Sequence, residues 1–183
     1  MSTRILHTYT NVRPLSQINT LHGMIRVAKD YPAETMTVYC QTDRSYWLAI
    51  SDGWGTHDLI NVEQDIEVSS SLVRELLECP SPLCAYPYRL DAGEWSVWNT
   101  SFVGDIPGIT GYYKELPEYA RGAGFGFVKI SQAVQQSIDI SAYPVEKYQW
   151  WFLDTWFSYA MLRTASHQFH LHHPIEHYRN IAS

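Results

Sequence analysis

The chain alternates short apolar runs with amphipathic ones, and the spacing of the apolar positions separates two kinds of element. Arg4 to Thr10 reads as a first strand, with Asn11, Arg13 and Pro14 as the turn behind it. From Gln17 to Lys29 the apolar residues fall three and four apart. Ile18, Leu21, Ile25 and Ala28 are then the expected inner stripe of a helix that Ser16 caps and Tyr31-Pro32 stops. Thr35 to Cys40 predicts a second strand, Tyr46 to Ile50 a short helix, and Asp58 to Asp65 a third strand. Leu59, Ile60 and Val62 give that third strand the apolar run of a parallel strand covered on both faces.

Ser69-Ser70-Ser71 caps a further helix over Leu72–Glu78, Cys79-Pro80-Ser81-Pro82 ends it, and Leu83–Leu90 reads as a strand. Asp91 to Glu118 has scattered Gly and Pro without a period, which predicts a long loop or irregular hairpin region. Gly122 to Ser131 is a glycine-rich entry into another strand. It lacks the order of a dinucleotide fingerprint, so its glycines signal a tight bend or a close backbone approach. Ser131 caps a short helix to Ile138, Tyr148–Leu162 carries the strongest helical pattern, and Phe169–Ile175 is the last strand. Strand and helix alternate through the first third. That order predicts one α/β domain over residues 1–183, with a Rossmann-like, mainly parallel sheet flanked by helices.

The composition narrows the partners. At 183 residues with a net charge of -6, the chain lacks the basic face that broad nucleic-acid binding needs, although a local contact by an enzyme stays open. No run approaches the ~18 apolar residues of a membrane helix, and Met1–Arg4 lacks the core of a signal peptide. Cys40, Cys79 and Cys84 form no CxxC pair, which fits buried thiols in a reduced, cytoplasmic setting.

Three stretches carry candidate chemistry. Glu63 and Asp65, two apart at the carboxyl end of the third strand, point to one side in extended backbone. Such a pair loses solvation and repels itself unless something positive lies between, which a divalent cation does well; the alternative is a plain strand end whose acids are solvated in a loop. The tail from His167 to His177 holds five of the eight histidines, with His170 and His172 on one strand face and His177 able to curl back. Asp154 sits in the aromatic run Trp150–Phe157, either on a thin solvent stripe or desolvated at a site, where its pKa would rise. Trp54, Trp95 and Trp98 each either fill the core or present a ring for a ligand to stack on.

Together these pieces resemble a known arrangement. Glu63-Gln64-Asp65 resembles the DxD-type metal motif of the glycosyltransferase-A (GT-A) fold, with Glu63 in place of the first Asp. The order of Cys79–Tyr88, Gly124–Lys129, Trp151–Asp154 and His170–His177 is similar to small bacterial and phage members of that superfamily. The resemblance implies a metal-dependent, inverting glycosyltransferase using Mn²⁺ or Mg²⁺ and a nucleotide sugar, a UDP-sugar favoured, in the cytoplasm of a bacterium or phage-infected host. It implies that Asp65 binds the metal that bridges the donor diphosphate, completed by His177 or, second, His172. Glu63 would contact the donor, the turns at Thr10 and Asp43 would hold base and ribose, and Asp154 would activate the acceptor. The acidic cluster usual after the second strand is reduced to Thr42-Asp43, and the acceptor is not legible. A metal-dependent phosphoester hydrolase, or a viral binding protein that keeps the scaffold without turnover, are the competing readings.

Overall fold

The computed structural model describes residues 2–10, 14–90, 92–103, 106–147, 152–164 and 167–178. The elements run β1 (Thr3–Tyr9), α1 (Pro14–Asp30), β2 (Thr35–Tyr39), α2 (Asp43–Ser51), β3 (Asp58–Glu63), α3 (Ser70–Glu78) and β4 (Leu83–Ala85). They continue with β5 (Val97–Val103), β6 (Ile106–Tyr112), β7 (Tyr119–Ala120), β8 (Gly122–Ala123), β9 (Phe127–Ile130), α4 (Gln132–Gln136), α5 (Leu153–Thr164) and β10 (Phe169–Leu171). A seven-stranded sheet has the order β2-β1-β3-β9-β4-β10-β7, and β6-β5-β8 form a smaller antiparallel one. In the large sheet β2, β1, β3, β4 and β10 run one way and only β9 and β7 oppose them.

The β3 strand lies inside this sheet, as its apolar run predicts, but only one of its neighbours, β1, is parallel. The other, β9, is antiparallel. Two cores cover its faces. Ile60 and Val62 pack with Met24 and Val27 of α1 and with Leu72, Val73 and Leu76 of α3. Leu59 points to the other core, with Tyr46, Ala49 and Ile50 of α2, Val134 of α4, and Leu153, Phe157 and Met161 of α5. Asn61, on that same side, donates from Nδ2 to the Phe125 carbonyl at 2.6 Å, which ties β3 to the approach of β9.

The structure corrects the expected face of α1. Ile18, Leu21 and Ile25 are exposed, whereas Thr20, Met24 and Val27 are buried. The cause is a close approach to the segment after β3. Thr20 donates from its hydroxyl to the Ile66 carbonyl at 2.8 Å, and a Cβ on Gly23 would stand 2.4 Å from the Val68 carbonyl oxygen. That fit rotates the helix away from its most apolar stripe. The helix also starts at Pro14, so Ser16 lies within it rather than capping it.

Other boundaries differ for local reasons. The strand expected to run to Leu90 ends at Ala85, and the last strand ends at Leu171, ahead of Pro174, which has no N–H for a ladder. The stretch from Asp91 to Glu118 contains the β5–β6 hairpin. Asn11, Arg13, Asp91 and the first turn expected of the last helix, with Trp151, lie outside the described residues.

Candidate active site

The carboxyl ends of β1 and β3, the start of α2 and the first turn of α5 meet at one end of the large sheet, where open α/β sheets bind ligands. A cavity of about 550 Å³ is lined there by Thr10, Cys40, Asp43, Tyr46, Glu63 and Gln64 among others. A second, of about 740 Å³, is lined by Tyr46, Glu63, Tyr88, Trp98, Asp154 and His177 among others. Tyr46 and Glu63 border both, so the two spaces adjoin along that pair. Glu63 ends β3, and its Oε1 accepts a 2.7 Å hydrogen bond from the Tyr46 phenol. Burial and then the Glu63 charge hold that phenol protonated, well above the ordinary tyrosine value.

The strict alternation expected from Glu63 to Asp65 is broken, because β3 stops at Glu63 and Gln64-Asp65 form a turn. Gln64 turns back to β1, where its Oε1 accepts from the Thr10 amide at 2.6 Å and the Thr10 hydroxyl at 2.9 Å. Thr10, expected to hold a nucleobase, thus also braces the loop after β1, and it lines the first cavity together with Asp43. Asp43 is the first residue of α2, whose N-terminus Thr42 caps through a reciprocal box with Ser45.

Asp65 is 1% exposed and faces His177. An isolated antiparallel bridge between Ile66 and His177 brings the tail to this point, and the Tyr178 amide donates to the Asp65 carbonyl at 2.8 Å. His177 Nδ1 lies 2.8 Å from the Arg89 carbonyl. A carbonyl only accepts, so Nδ1 carries a proton, and the other ring nitrogen, Nε2, faces Asp65. That atom stands 3.6 Å from Asp65 Oδ2. At that separation the two groups form an ion pair when the ring is protonated, and they offer one carboxylate and one imidazole at this point.

Asp154 sits in the first turn of α5, beside the buried stripe of Leu153, Phe157 and Met161. Its Oδ1 accepts from the Thr155 amide at 2.5 Å and the Thr155 hydroxyl at 3.1 Å. Burial first, and the charge of Glu63 second, push its pKa to about 8, against the lowering effect of hydrogen bonds from Thr155 and the Phe125 backbone. Part of its surface stays open to the second cavity. Of the two expectations for Asp154, a thin solvent stripe or a desolvated site, the structure shows a half-buried carboxyl that lines a cavity.

The glycine-rich segment explains two aromatic walls of that cavity. A Cβ on Gly122 would lie 1.9 Å from Trp98 Nε1, and one on Gly124 or Gly126 would lie 2.7 or 2.6 Å from the Tyr88 ring or hydroxyl. These glycines make room for Trp98 and Tyr88, and Tyr88 in turn stacks against His177 at 5.0 Å. Of the other tryptophans, Trp54 donates to the Gln135 and Ile138 carbonyls and packs on Phe157, while Trp95 lies under the Arg89 guanidinium. The structure also adds a residue that the sequence gave no reason to single out. His7 of β1 is 2% exposed with neither ring nitrogen hydrogen-bonded among the described residues, and burial lowers its pKa to about 4.

Of the two histidines expected beside Asp65, the structure brings His177 there and places His172 elsewhere, with Cys79, Cys84 and His170 in a group able to hold a metal. Among the described residues, no helix is long and apolar enough to cross a membrane.

No protein-family model matches this sequence, and no curated protein matches it. Among solved structures, the fold is similar to the crystal structure of A197 from STIV. The TM-score is 0.59 over 94% of this chain and 83% of that one, at 14% identity. That likeness establishes a shared α/β architecture with a large sheet flanked by helices.

Proposed function

We propose that the protein is a metal-dependent glycosyltransferase that moves a sugar from a nucleotide donor to an acceptor hydroxyl with inversion. The observation that carries this reading is the facing pair of Asp65 and His177, with a proton-holding carboxyl, Asp154, in the adjoining cavity. Asp65 and His177 would hold a divalent ion, Mn²⁺ or Mg²⁺, and it would supply charge stabilisation for a departing diphosphate. The cavity bordered by Thr10, Asp43 and Glu63 takes the nucleoside, a uridine favoured by resemblance, and Glu63 at the shared boundary contacts its sugar side.

Asp154 then removes the acceptor proton. Its carboxyl must be ionised to do so, against burial first and the Glu63 charge second, which raise its pKa. Trp98 and Tyr88 supply flat apolar walls of the kind that sugar rings pack on.

The test is a panel of nucleotide sugars incubated with the protein and Mn²⁺, with released nucleoside diphosphate measured by chromatography. Release from one donor class, dependent on metal and lost in Asp154→Asn, is the expected result. Cleavage of simple phosphoesters without sugar transfer would replace this reading with a hydrolase. Donor binding with no product under any acceptor would leave a binding protein.

A further inference from the structure

The four-residue group of Cys79, Cys84, His170 and His172 lies away from the pair just described, and it is built differently. Its candidate ligand atoms all fall within 4.8 Å of one another. Three secondary-structure junctions bring them together. Cys79 caps the carboxyl end of α3, Cys84 is the middle residue of β4, and His170 is its register partner on the parallel strand β10. His172 follows on the same side as His170, with their rings 5.2 Å apart, and its amide is held by the Ala85 carbonyl at 3.0 Å.

Two thiols and two imidazoles are a soft, borderline donor set, the choice for Zn²⁺ rather than for Mg²⁺ or Ca²⁺. The surroundings favour ligation. His172 turns Nδ1 toward the Glu75 carboxylate at 3.8 Å, and Glu75 is itself fixed by the Tyr86 phenol at 2.8 Å. That leaves Nε2 of His172 buried and without a hydrogen-bond partner among the described residues. A carboxylate behind a histidine whose other nitrogen is free is the outer shell typical of zinc ligands. Cys79 Sγ already lies 3.4 Å from His170 Nδ1. The buried Lys129 ammonium donates to the Cys79 carbonyl and places positive charge beside the sulfurs. An open depression bordered by Cys79, Pro80, Ser81, Tyr119 and His170 provides an entry path.

We infer that Cys79, Cys84, His170 and His172 form a structural zinc site that clamps the α3–β4 turn to β10. Tetrahedral Zn²⁺ with bonds of about 2.3 Å to sulfur and 2.0 Å to nitrogen sets its ligand atoms roughly 3.3–3.8 Å apart. Binding therefore requires the group to contract by up to about 1.5 Å. Each thiol gives up its proton as its Zn–S bond forms, so two protons leave per ion while both imidazoles stay neutral. The clamp acts on the very short strands β4 and β10, whose few ladder bonds cannot hold them firmly. It also anchors the tail that carries His177 to Asp65 a few residues later.

The test uses the full chain produced under reducing conditions in zinc-containing medium. Elemental analysis is expected to find one zinc per chain in the wild type and in Asp65→Asn, and none in Cys84→Ser or His172→Asn. Replacing zinc by Co²⁺ in the wild type should give intense visible bands and a thiolate charge-transfer band of a tetrahedral sulfur and nitrogen site. A strong chelator should lower the melting temperature by about 5 °C or more. Wild-type protein without stoichiometric zinc, with only the faint bands of six-coordinate cobalt, would overturn the assignment even if the variants fail to fold. So would a denatured, metal-free intact mass two hydrogen atoms light under the same conditions, with peptide mapping that joins Cys79 to Cys84 as a disulfide.

Discussion

The Glu63 carboxylate at the end of β3 and the Asp154 carboxyl in the first turn of α5 face one cavity, and the charge of the first helps to keep the proton on the second. An acid in that position costs the folded protein free energy when it ionises, and this gives the site a signature independent of activity. The folded state holds the Asp154 proton between pH 3.8 and about 8, while the unfolded chain has lost it. In that window folding binds protons, so this residue makes stability fall as pH rises. Asp154→Asn removes the effect. It should stabilise the protein at pH 8.5 by on the order of 1–3 kcal/mol, with little gain at pH 4, as read from denaturant midpoints. Equal stability of variant and wild type at both pH values would show that the carboxyl is not desolvated.

The same variant tests the base. Under the proposed mechanism it keeps donor and metal binding and loses about 10²–10⁴-fold in turnover. The wild-type rate should rise with pH through a titration at about 8, the Asp154 value. That rise should be flat in Asp154→Asn, in a pH series at saturating donor.

Asp65 and His177 should act as one unit toward metal. Calorimetric titration of zinc-loaded protein with Mn²⁺ is expected to show a site that Asp65→Asn and His177→Phe each weaken at least about tenfold. The double variant should be no worse than the weaker single one. Additive losses would mean that the two residues serve different purposes.

Gly122 should tolerate no side chain. Its Cβ would fall 1.9 Å from Trp98 Nε1, inside a packed core. Gly122→Ala is expected to cost about 1–3 kcal/mol and to shift Trp98 into the cavity, which lowers donor or acceptor affinity as well as the melting temperature. Gly93, where a Cβ meets nothing within 4 Å, serves as the comparison, although its φ of 86° makes an alanine there strained for backbone reasons alone.

His7 should make the fold acid-sensitive. Its folded pKa of about 4 lies below the ordinary 6.5, so the folded state refuses a proton that the unfolded chain accepts. The stability tied to its neutral form is complete above pH 6.5 and is lost as pH falls toward 4. His7→Phe keeps an aromatic ring beside Tyr9 and should retain roughly 2–3 kcal/mol more of its neutral-pH stability at pH 4.5 than wild type does. Identical acid profiles would place the lost stability in other groups.

The local patterns along the chain were enough for the α/β class, the order of its first elements, and the place of β3 inside the sheet. Such facts depend on neighbouring residues: an apolar run before Glu63, a capping hydroxyl at Ser69, and prolines where strands must stop. Glu63, Asp154 and His177 could be picked out for the same reason, since a charge or imidazole at the edge of an apolar run stands out locally. What the pattern could not contain was distance. The α1 face was settled by Thr20 and Gly23 meeting Ile66 and Val68, a fit that outweighs the most apolar stripe. The antiparallel partner of β3 is β9, which arrives from far along the chain. His177 and His172, first and second choice in one tail, were separated by where β10 ends: pairing with β4 holds His172 beside the cysteines, and release from the ladder lets His177 reach Asp65. Long-range pairing chooses among side chains of the same chemistry, and only the tertiary structure records that choice.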